Sequence, residues 1–451
     1  MFSIAQVIRQ FKQRWTRQID ERAIEAACLA AGMRWRERVL TPVFTVRLFL
    51  LQILWGNTAC DHVPRLAGMD FTGEAYCKAR TRIPLSVFRS LLGRLTDAML
   101  DCVDREGLWR GHRLWLLDGT SFSMSDTPKL QAHFGQPGGQ RAGCGFPVAH
   151  CLALVHAGSG LVRELITAPL RTHDLSLAVR VHEHLRARDV LVADRAFASY
   201  AHFALLRERG VYLLARAHQK LTIDFSHSRP HLPPGVKRTP ADRGKPYSRW
   251  LFRWSKQDQV VIWYKPRSRP TWLSAEQYEA LPESLAVREL RQRITRPGHR
   301  VREITLLTTL LSAENYPAGA LVELYRQRWR IETNFAHLKQ TLGMDVLHCK
   351  TLEGVEKEAL MFVLVYNLVR MAMCQAAARQ GVQVDRISFI DALRWLLSAT
   401  PQQPPPRLLV NPVRPNRHEP RVRKRRPKQY PVMQRPRWQL KQDLLRQNVT
   451  A

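Results

Sequence analysis

The chain has 451 residues, 45% of them hydrophobic, which is enough for two or three domains and a sizeable core. Its 70 Lys and Arg against 38 Asp and Glu leave a net charge of +32, which indicates a polyanionic partner such as nucleic acid; an unspecialised basic protein is the alternative. Eight cysteines without a Cys-x-x-Cys pair, and histidines without zinc-ligand spacing, argue against a disulfide framework or a zinc site and favour a reducing cytoplasm.

Neither the N-terminus nor the most apolar runs indicate a membrane segment. The first residues, MFSIAQVIRQFKQRW, carry charges where a signal peptide has an apolar core. The runs VRLFLLQILW and LMFVLVYNLV are shorter than the roughly 20 residues that cross a bilayer. We therefore expect two buried helix segments, no membrane association, and a cytoplasmic, nucleoid-associated location.

Helical periodicity dominates the first part of the chain. Residues 1–110 combine it with Lys and Arg throughout, as in YCKARTRIPLSVFRSLLGRL, which predicts a basic helical domain. Across residues 111–216, short apolar runs such as CLALVHAG and VLVADRAF alternate with helical segments such as YAHFALLRERG. This order predicts a mixed sheet covered by helices.

Three further segments follow. Residues 217–313 are rich in Pro and Trp and predict an insertion of strands joined by long loops. Residues 314–385 return to strong helical periodicity in AGALVELYRQRWRIETNFAHLKQTL and EKEALMFVLVYNLVRMAMCQAAA. Residues 386–451 form a basic C-terminal region. From Pro401 it holds 13 Lys or Arg and 2 Asp or Glu, and we expect this tail to be extended or only partly ordered.

Two apolar runs, RLWLLDGT and DVLVADRAF, predict buried strands that end at Asp118 and Asp194. In open α/β sheets, ligands bind at the carboxyl ends of the strands. Either aspartate alone could instead cap the following turn or helix. Two together, with a third carboxylate on a facing helix, favour a functional site.

The segment YRQRWRIETNFAHLK supplies such a carboxylate. At about 100° per residue, Tyr325, Arg328, Glu332 and Lys339 fall within about 60° of one another on a helix. Three carboxylates in one cleft repel unless a cation joins them, and Mg²⁺ suits oxygen ligands beside a substrate phosphate. With this basic surface, the predicted substrate is DNA. Glu332 then completes the carboxylate triad, Arg328 and Lys339 grip phosphates, and Tyr325 hydrogen-bonds or stacks nearby.

The spacing Y-x2-R-x3-E-x6-K at these four positions, with LDGT at Asp118 and ADRAF at Asp194, resembles the DDE transposases of the insertion sequence four family. The resemblance covers about residues 110–380, and more weakly the helical start and the RPKQYP segment of the tail. It implies an α/β fold, with an RNase H-like catalytic core interrupted by a β-rich insertion and preceded by a helical DNA-binding domain that recognises the transposon end. One departure is Ala196, where many relatives carry Gly.

The resemblance also implies a reaction. Such enzymes nick DNA with metal-activated water, form and reopen a hairpin, and join the 3′-OH to target DNA. It implies Mg²⁺, which Mn²⁺ can replace, terminal inverted repeats and target DNA as partners, and a homodimer in a synaptic complex. By position, the metal triad is Asp118, Asp194 and Glu332, and the DNA-end contacts are Tyr325, Arg328 and Lys339. The alternatives are a nuclease that cuts without joining and a non-enzymatic DNA-binding protein derived from a transposase.

The insertion holds a cluster of tryptophans, Trp250, Trp254, Trp263 and Trp272. A hairpin bends the DNA end too tightly for every base to stay stacked, so an extruded base needs an aromatic face. Trp272, after the loop-like KPRSRPT, is the favoured candidate for this DNA contact, whereas Trp263 is expected within a strand. Packing in the core of a small sheet is the alternative for each tryptophan.

Three other motifs receive structural interpretations. FGQPGGQRAGCG lacks the Lys-Ser/Thr of a phosphate-binding loop and predicts a flexible loop near the site. HEH at 182–184 lacks the HExxH spacing and predicts a solvated helix face. RKRR at 423–426 is interpreted as part of a DNA-contacting tail rather than as a nuclear localisation signal.

Overall fold

The computed structural model describes residues 20–103, 108–293, 303–398, 407–413 and 433–449. The N-terminal MFSIAQVIRQFKQRW and the RKRR and RPKQYP motifs of the tail lie outside these ranges. Within them, helices cover both faces of one large sheet.

The N-terminal part of the described chain is helical, as predicted. Thr41 caps one helix by accepting a hydrogen bond from the Phe44 amide, and Pro42 occupies the first turn, where a missing N–H costs nothing. The helices are α1 (Glu21–Ala30), α2 (Pro42–Leu54), α3 (Val63–Ala67), α4 (Gly73–Arg82) and α5 (Leu85–Val103). The run VRLFLLQILW lies almost wholly in α2 and is largely buried, as expected.

The long helix α12 (Leu352–Gln380) forms the centre of the larger hydrophobic cluster. Among the described helices it alone is long and apolar enough to cross a bilayer, yet 89% of its most apolar window is buried inside the protein. It contains the run LMFVLVYNLV, which confirms the predicted buried helix. Helices α2 and α5 pack against it, so the N-terminal helices share a core with the rest of the chain.

One sheet of ten strands runs through the described residues. The strands are β1 (Leu114–Met124), β2 (Val148–His156), β3 (Val162–Pro169), β4 (Val190–Ala193), β5 (Tyr212–Arg216), β6 (Ser248–Ser255), β7 (Asp258–Tyr264), β8 (Ser284–Arg293), β9 (Glu303–Thr308) and β10 (Val346–Leu347). Their order is β3-β2-β1-β4-β5-β9-β8-β7-β6, with β10 beside β1. The β1–β4, β4–β5 and β1–β10 pairs are parallel and the other pairs antiparallel.

Strands β6–β9 come from the 217–313 segment, where strands were predicted, and β9 pairs with β5 so that they continue the same sheet. A short helix, α9 (Ala275–Ala280), interrupts them, although the sequence predicted none there. Fully buried Arg288 binds Asp258 through two hydrogen bonds and donates to the Tyr316 carbonyl. This ion pair ties β7 and β8 to the chain that leads into the next helix.

The remaining helices complete the two faces of the sheet and the tail. They are α6 (Pro128–Phe134), α7 (Asp174–Val181), α8 (Tyr200–Glu208), α10 (Ala318–Arg326), α11 (Arg330–Ala336), α13 (Phe389–Ser398) and α14 (Arg437–Val449). The larger cluster packs one face of the sheet against α5 and α12. A second cluster packs the other face against α7 and α8.

Helix α14 corrects the prediction of an extended or only partly ordered tail for residues 437–449. Arg437 stacks 4.1 Å above the Phe146 ring and lies 3.4 Å from an Asp126 carboxylate oxygen. Arg141, in the loop formed by the Gly-rich stretch, donates to the Gln434 carbonyl. The basic composition therefore misled the prediction, because these residues dock on the protein and form a helix there.

The HEH motif is also corrected. His182 begins a 3-10 turn that follows α7 and is 1% exposed, so it is not on a solvated helix face. Its Nε2 lies 3.0 Å from Nε2 of buried His202, which stacks beside it at the start of α8. The apolar face of α7 continues into this turn and carries His182 inward.

Candidate functional site

Strand register places Asp118 and Asp194 side by side. The last registered pair of the parallel β1–β4 ladder is Leu117 with Ala193, and each aspartate is the next residue. Alternation along the strands puts both aspartates on the face of the sheet that carries the larger cluster. Beyond Asp118, β1 remains paired with β2 and continues to Met124, so Asp118 does not end its strand, contrary to the prediction. Only the pairing of β1 with β4 ends at this point.

A continuous helical segment, 318–341, faces these aspartates. It contains α10, a 3-10 turn at 327–329, α11 and a single π-helical turn at His337–Thr341. Tyr325 Oη donates to Asp194 Oδ1 at 3.2 Å, and Lys339 Nζ donates to the Ser121 carbonyl of β1 at 2.6 Å. The predicted shared face is therefore directed at β1 and β4, and the π turn, a feature often found at functional sites, carries the lysine.

Arg328 lies at the centre of the site. Its Nη1 is 2.5 Å from Asp118 Oδ2, and its Nη2 is 3.4 Å from Glu332 Oε1. The side chain is buried, and its Nε has no hydrogen-bond partner among the described residues. The arginine therefore bridges two of the three predicted carboxylates directly, and the charge of the third, Asp194, also acts on it.

The electrostatics of the cleft favour bound cations. Burial raises the pKa of Asp118 to about 6, although the Arg328 guanidinium and the Gly119 amide act to lower it; the nearby charges of Asp194 and Glu332 raise it further. Burial and the charge of Asp194 also raise the pKa of the Tyr325 hydroxyl, which stays protonated and can donate. One guanidinium therefore does not fully compensate three carboxylates.

The fit of a metal ion can be judged from the donor set. Within the described ranges, no group of three His, Cys, Asp or Glu side chains lies close enough to hold a metal ion together. Asp118, Asp194 and Glu332 nevertheless offer only oxygen ligands and a surplus of negative charge, which suits a hard divalent cation. The donor set therefore suits such an ion in kind, while Asp118 and Glu332 are paired with Arg328 in the structure.

No pattern in the sequence indicated a second pair of polar side chains beside this site. His150 of β2 and Asp174 of α7 are joined by a 2.6 Å contact on the opposite face of β1 from Asp118. A Cβ at Gly119 would lie 3.0 Å from the His150 ring and 3.3 Å from the Asp174 carboxylate. The glycine of LDGT therefore leaves room for this pair, which only the tertiary structure assembles.

The tryptophans of the insertion lie in different environments. Trp263 is buried in β7, as predicted, and donates to Glu289. Trp272 is partly buried and packs against the second cluster. Trp250 and Trp254 of β6 are 45% and 41% exposed, and Trp254 donates to the Leu311 carbonyl. The favoured Trp272 is therefore less open to solvent than the two tryptophans of the edge strand.

Comparison with known proteins identifies the family. Residues 109–368 match the family model described as "Transposase DDE domain". The chain is similar to transposase InsG for insertion sequence element IS4 from Escherichia coli strain K12, with 26% identity over 72% of this chain and 70% of that protein.

A cryo-EM structure of the piggyBac transposase synaptic complex with hairpin DNA aligns with a TM-score of 0.42 and 9% identity, covering 88% of this chain and 79% of that one. The family match spans more than half of the sequence and includes all three carboxylates of the site. The chain thus belongs to the transposase DDE-domain family and is a DDE transposase of the IS4 family.

Proposed function

We propose that this transposase performs cut-and-paste DNA transposition in the cytoplasm, associated with the nucleoid, by nicking transposon ends, forming a hairpin and joining the freed 3′-OH to target DNA. The observation that carries this proposal is the convergence of Asp118, Asp194 and Glu332 around Arg328. Enzymes of this family generally use divalent metal ions. The all-oxygen donor set favours Mg²⁺, with Mn²⁺ as a substitute.

Mg²⁺ held by Asp118, Asp194 and Glu332 would activate the attacking oxygen and neutralise charge on the scissile phosphate. Arg328 would exchange its carboxylate partners for phosphate oxygens as the site fills, because a guanidinium binds either group through the same planar set of donors. Lys339 would add a second cationic contact from the π turn. Tyr325 would hold Asp194 in place through its hydroxyl.

The strand order supports an RNase H-like core formed by residues 111–216 and 314–385, with residues 217–313 as its β-rich insertion. β1–β5 form a five-stranded mixed unit whose adjacent parallel strands carry both aspartates, while the other four long strands extend one edge. The helical segment that carries Glu332 follows the insertion in sequence; its helix α10 contacts β4 and its helix α11 contacts β1. This arrangement explains how a distant carboxylate reaches the same cleft.

DNA-end recognition by the helical domain, residues 1–110, is supported by a basic cavity in its described part. The cavity measures about 410 Å³ and is lined by Arg34, Arg36, Arg38 and Arg82 beside Trp35. Arginines bind phosphate, and an aromatic face can stack on a base or sugar. We further propose that the transposon's terminal inverted repeats contact this cavity and that two copies of the chain act together in a synaptic complex.

The test is cleavage of a labelled DNA duplex that carries the terminal inverted repeat flanking the coding region. Asp118→Asn, Asp194→Asn and Glu332→Gln should each abolish nicking in Mg²⁺, while end binding in a gel-shift assay persists. Substantial cleavage by any of these variants would remove that residue from the triad. A strand-transfer assay with the wild-type protein distinguishes a transposase from a nuclease, which would cut without joining.

A further inference from the structure

Two cysteines in a cleft that contains none of the three carboxylates lie in sulfur–sulfur contact. Cys77 of α4 and Cys60, which opens the 3-10 turn at 60–62, have their Sγ atoms 3.2 Å apart, with Cys77 as the hydrogen-bond donor. Both are free thiols in the structure. A disulfide has an S–S distance of about 2.05 Å, so a closure of about 1 Å would join them.

Backbone packing keeps the two segments together. A Cβ added at Gly73, the first residue of α4, would lie 2.1 Å from the Asp61 carboxylate and 2.8 Å from the Asp61 amide nitrogen. The first turn of α4 therefore rests directly on the turn that contains Cys60. This close approach of the two backbone segments keeps the Cys60 and Cys77 thiols next to each other without a covalent bond.

The pair is also accessible from solvent. It lines a cleft of about 350 Å³ between the N-terminal helices and the start of α12, and Cys77 is exposed. Arg80 Nη1 donates a hydrogen bond to the Cys60 sulfur at 3.7 Å. Burial and Cys60 raise the pKa of Cys77 to about 11, so Cys77 remains a protonated thiol that can donate to Cys60.

We propose that Cys60 and Cys77 are a peroxide-sensitive modification site that forms an intramolecular disulfide. The Cys60 thiolate attacks one oxygen of hydrogen peroxide, the O–O bond breaks, and the departing hydroxide takes a proton to become water. The sulfur of Cys77 then attacks the resulting sulfenic acid; the S–S bond forms, the S–O bond breaks, and the Cys77 proton leaves with the hydroxide as a second water. Overall, two thiols are oxidised by two electrons and one peroxide is reduced to two waters.

Cys349 supplies a matched control because it lines the same cleft and contacts the other side of Arg80, with 3.2 Å between Nη2 and Sγ. Among the described residues, Cys349 forms no hydrogen bond with Cys60 or Cys77. Cys349→Ser should therefore remove a thiol of similar surroundings and leave the proposed disulfide intact.

The experiment treats the full-length protein with hydrogen peroxide and counts free thiols after denaturation. Wild type should fall from eight thiols to six, and dithiothreitol should restore eight. Trypsin cuts after Arg65, so peptides 48–65 and 66–78 should be recovered as one linked species by mass spectrometry. Cys349→Ser should still lose two thiols, whereas Cys60→Ser and Cys77→Ser should form no linked peptide.

Several results would overturn the proposal. These are an unchanged count of eight thiols in wild type, a linked peptide that contains Cys349 in place of either partner, or a gain of oxygen on Cys60 without linkage. The wild-type peptide map gives this answer even if a serine variant folds poorly.

Discussion

Lowering the pH from 7.5 to 5 should destabilise the protein through the buried pair His182 and His202. His202 Nδ1 bonds to the Phe197 carbonyl, so this nitrogen carries the proton of the neutral ring and Nε2 accepts from His182. Burial lowers the pKa of His182 to about 2, with the nearby His202 contributing, and lowers that of His202 to about 4. Protonation of His202 Nε2 would set two N–H donors against each other.

The sign and size of the effect follow from these values. Each histidine has a lower pKa folded than its usual 6.5, so its stabilising contribution is complete above pH 6.5 and is lost as the pH falls toward the folded value. At pH 5 the loss is about 2 kcal/mol per histidine, or about 4 kcal/mol for the pair. Asp118 acts in the opposite direction, because its pKa is raised from 3.8 to about 6 in the folded protein. Its protonation as the pH falls to 5 therefore increases the free energy of unfolding by about 1.4 kcal/mol. The histidines therefore decide the sign.

Urea unfolding followed by circular dichroism at both pH values measures this loss. His202→Gln keeps a polar side chain but removes one titrating group, so its pH-dependent loss should be about 2 kcal/mol smaller than that of wild type. His133→Gln, at an exposed position, is the control and should retain the full loss. The reasoning is refuted if His202→Gln loses as much stability between pH 7.5 and 5 as wild type does.

Three further predictions concern the insertion and the DNA contacts. Asp258→Asn should lower the free energy of unfolding by about 3–5 kcal/mol, because it leaves the buried Arg288 charge uncompensated. The control, Asp443→Asn in an exposed ion pair, should lower it by less than about 1 kcal/mol. Urea unfolding measures both losses, and equal losses would contradict the burial argument. Lys339→Ala should weaken the cleavage complex and reduce the slope of log K against log salt by about 1, and an unchanged slope would mean that it contacts no phosphate. The Trp272→Ala protein should still nick the DNA but form the hairpin slowly, and an abasic site at the position of the extruded base should partly restore the rate. A normal hairpin rate would place the aromatic contact at another residue. A failure to fold would support the packing role of Trp272.

Local patterns in the sequence predicted the strands and helices that position the site, but not the helix α9 within the insertion or α14 in the tail. Apolar runs predicted the strands that lead into Asp118 and Asp194, because a strand buried on both faces needs continuous hydrophobic residues. Helical spacing predicted that Tyr325, Arg328 and Glu332 share a face, because that spacing depends only on the helix itself. These features involve neighbours in sequence, and the structure contains them.

Contacts between distant segments were decided only by the tertiary structure. The β1–β4 register that sets two aspartates side by side, the Arg328 bridge between carboxylates, and the inward position of His182 each depend on segments far apart in the chain. The tail misled in the same way, since α14 is stabilised by docking on Asp126 and Phe146. Periodicity reports the face that a residue occupies on its own element; which surface meets that face depends on how the whole chain buries its apolar area and pairs its charges.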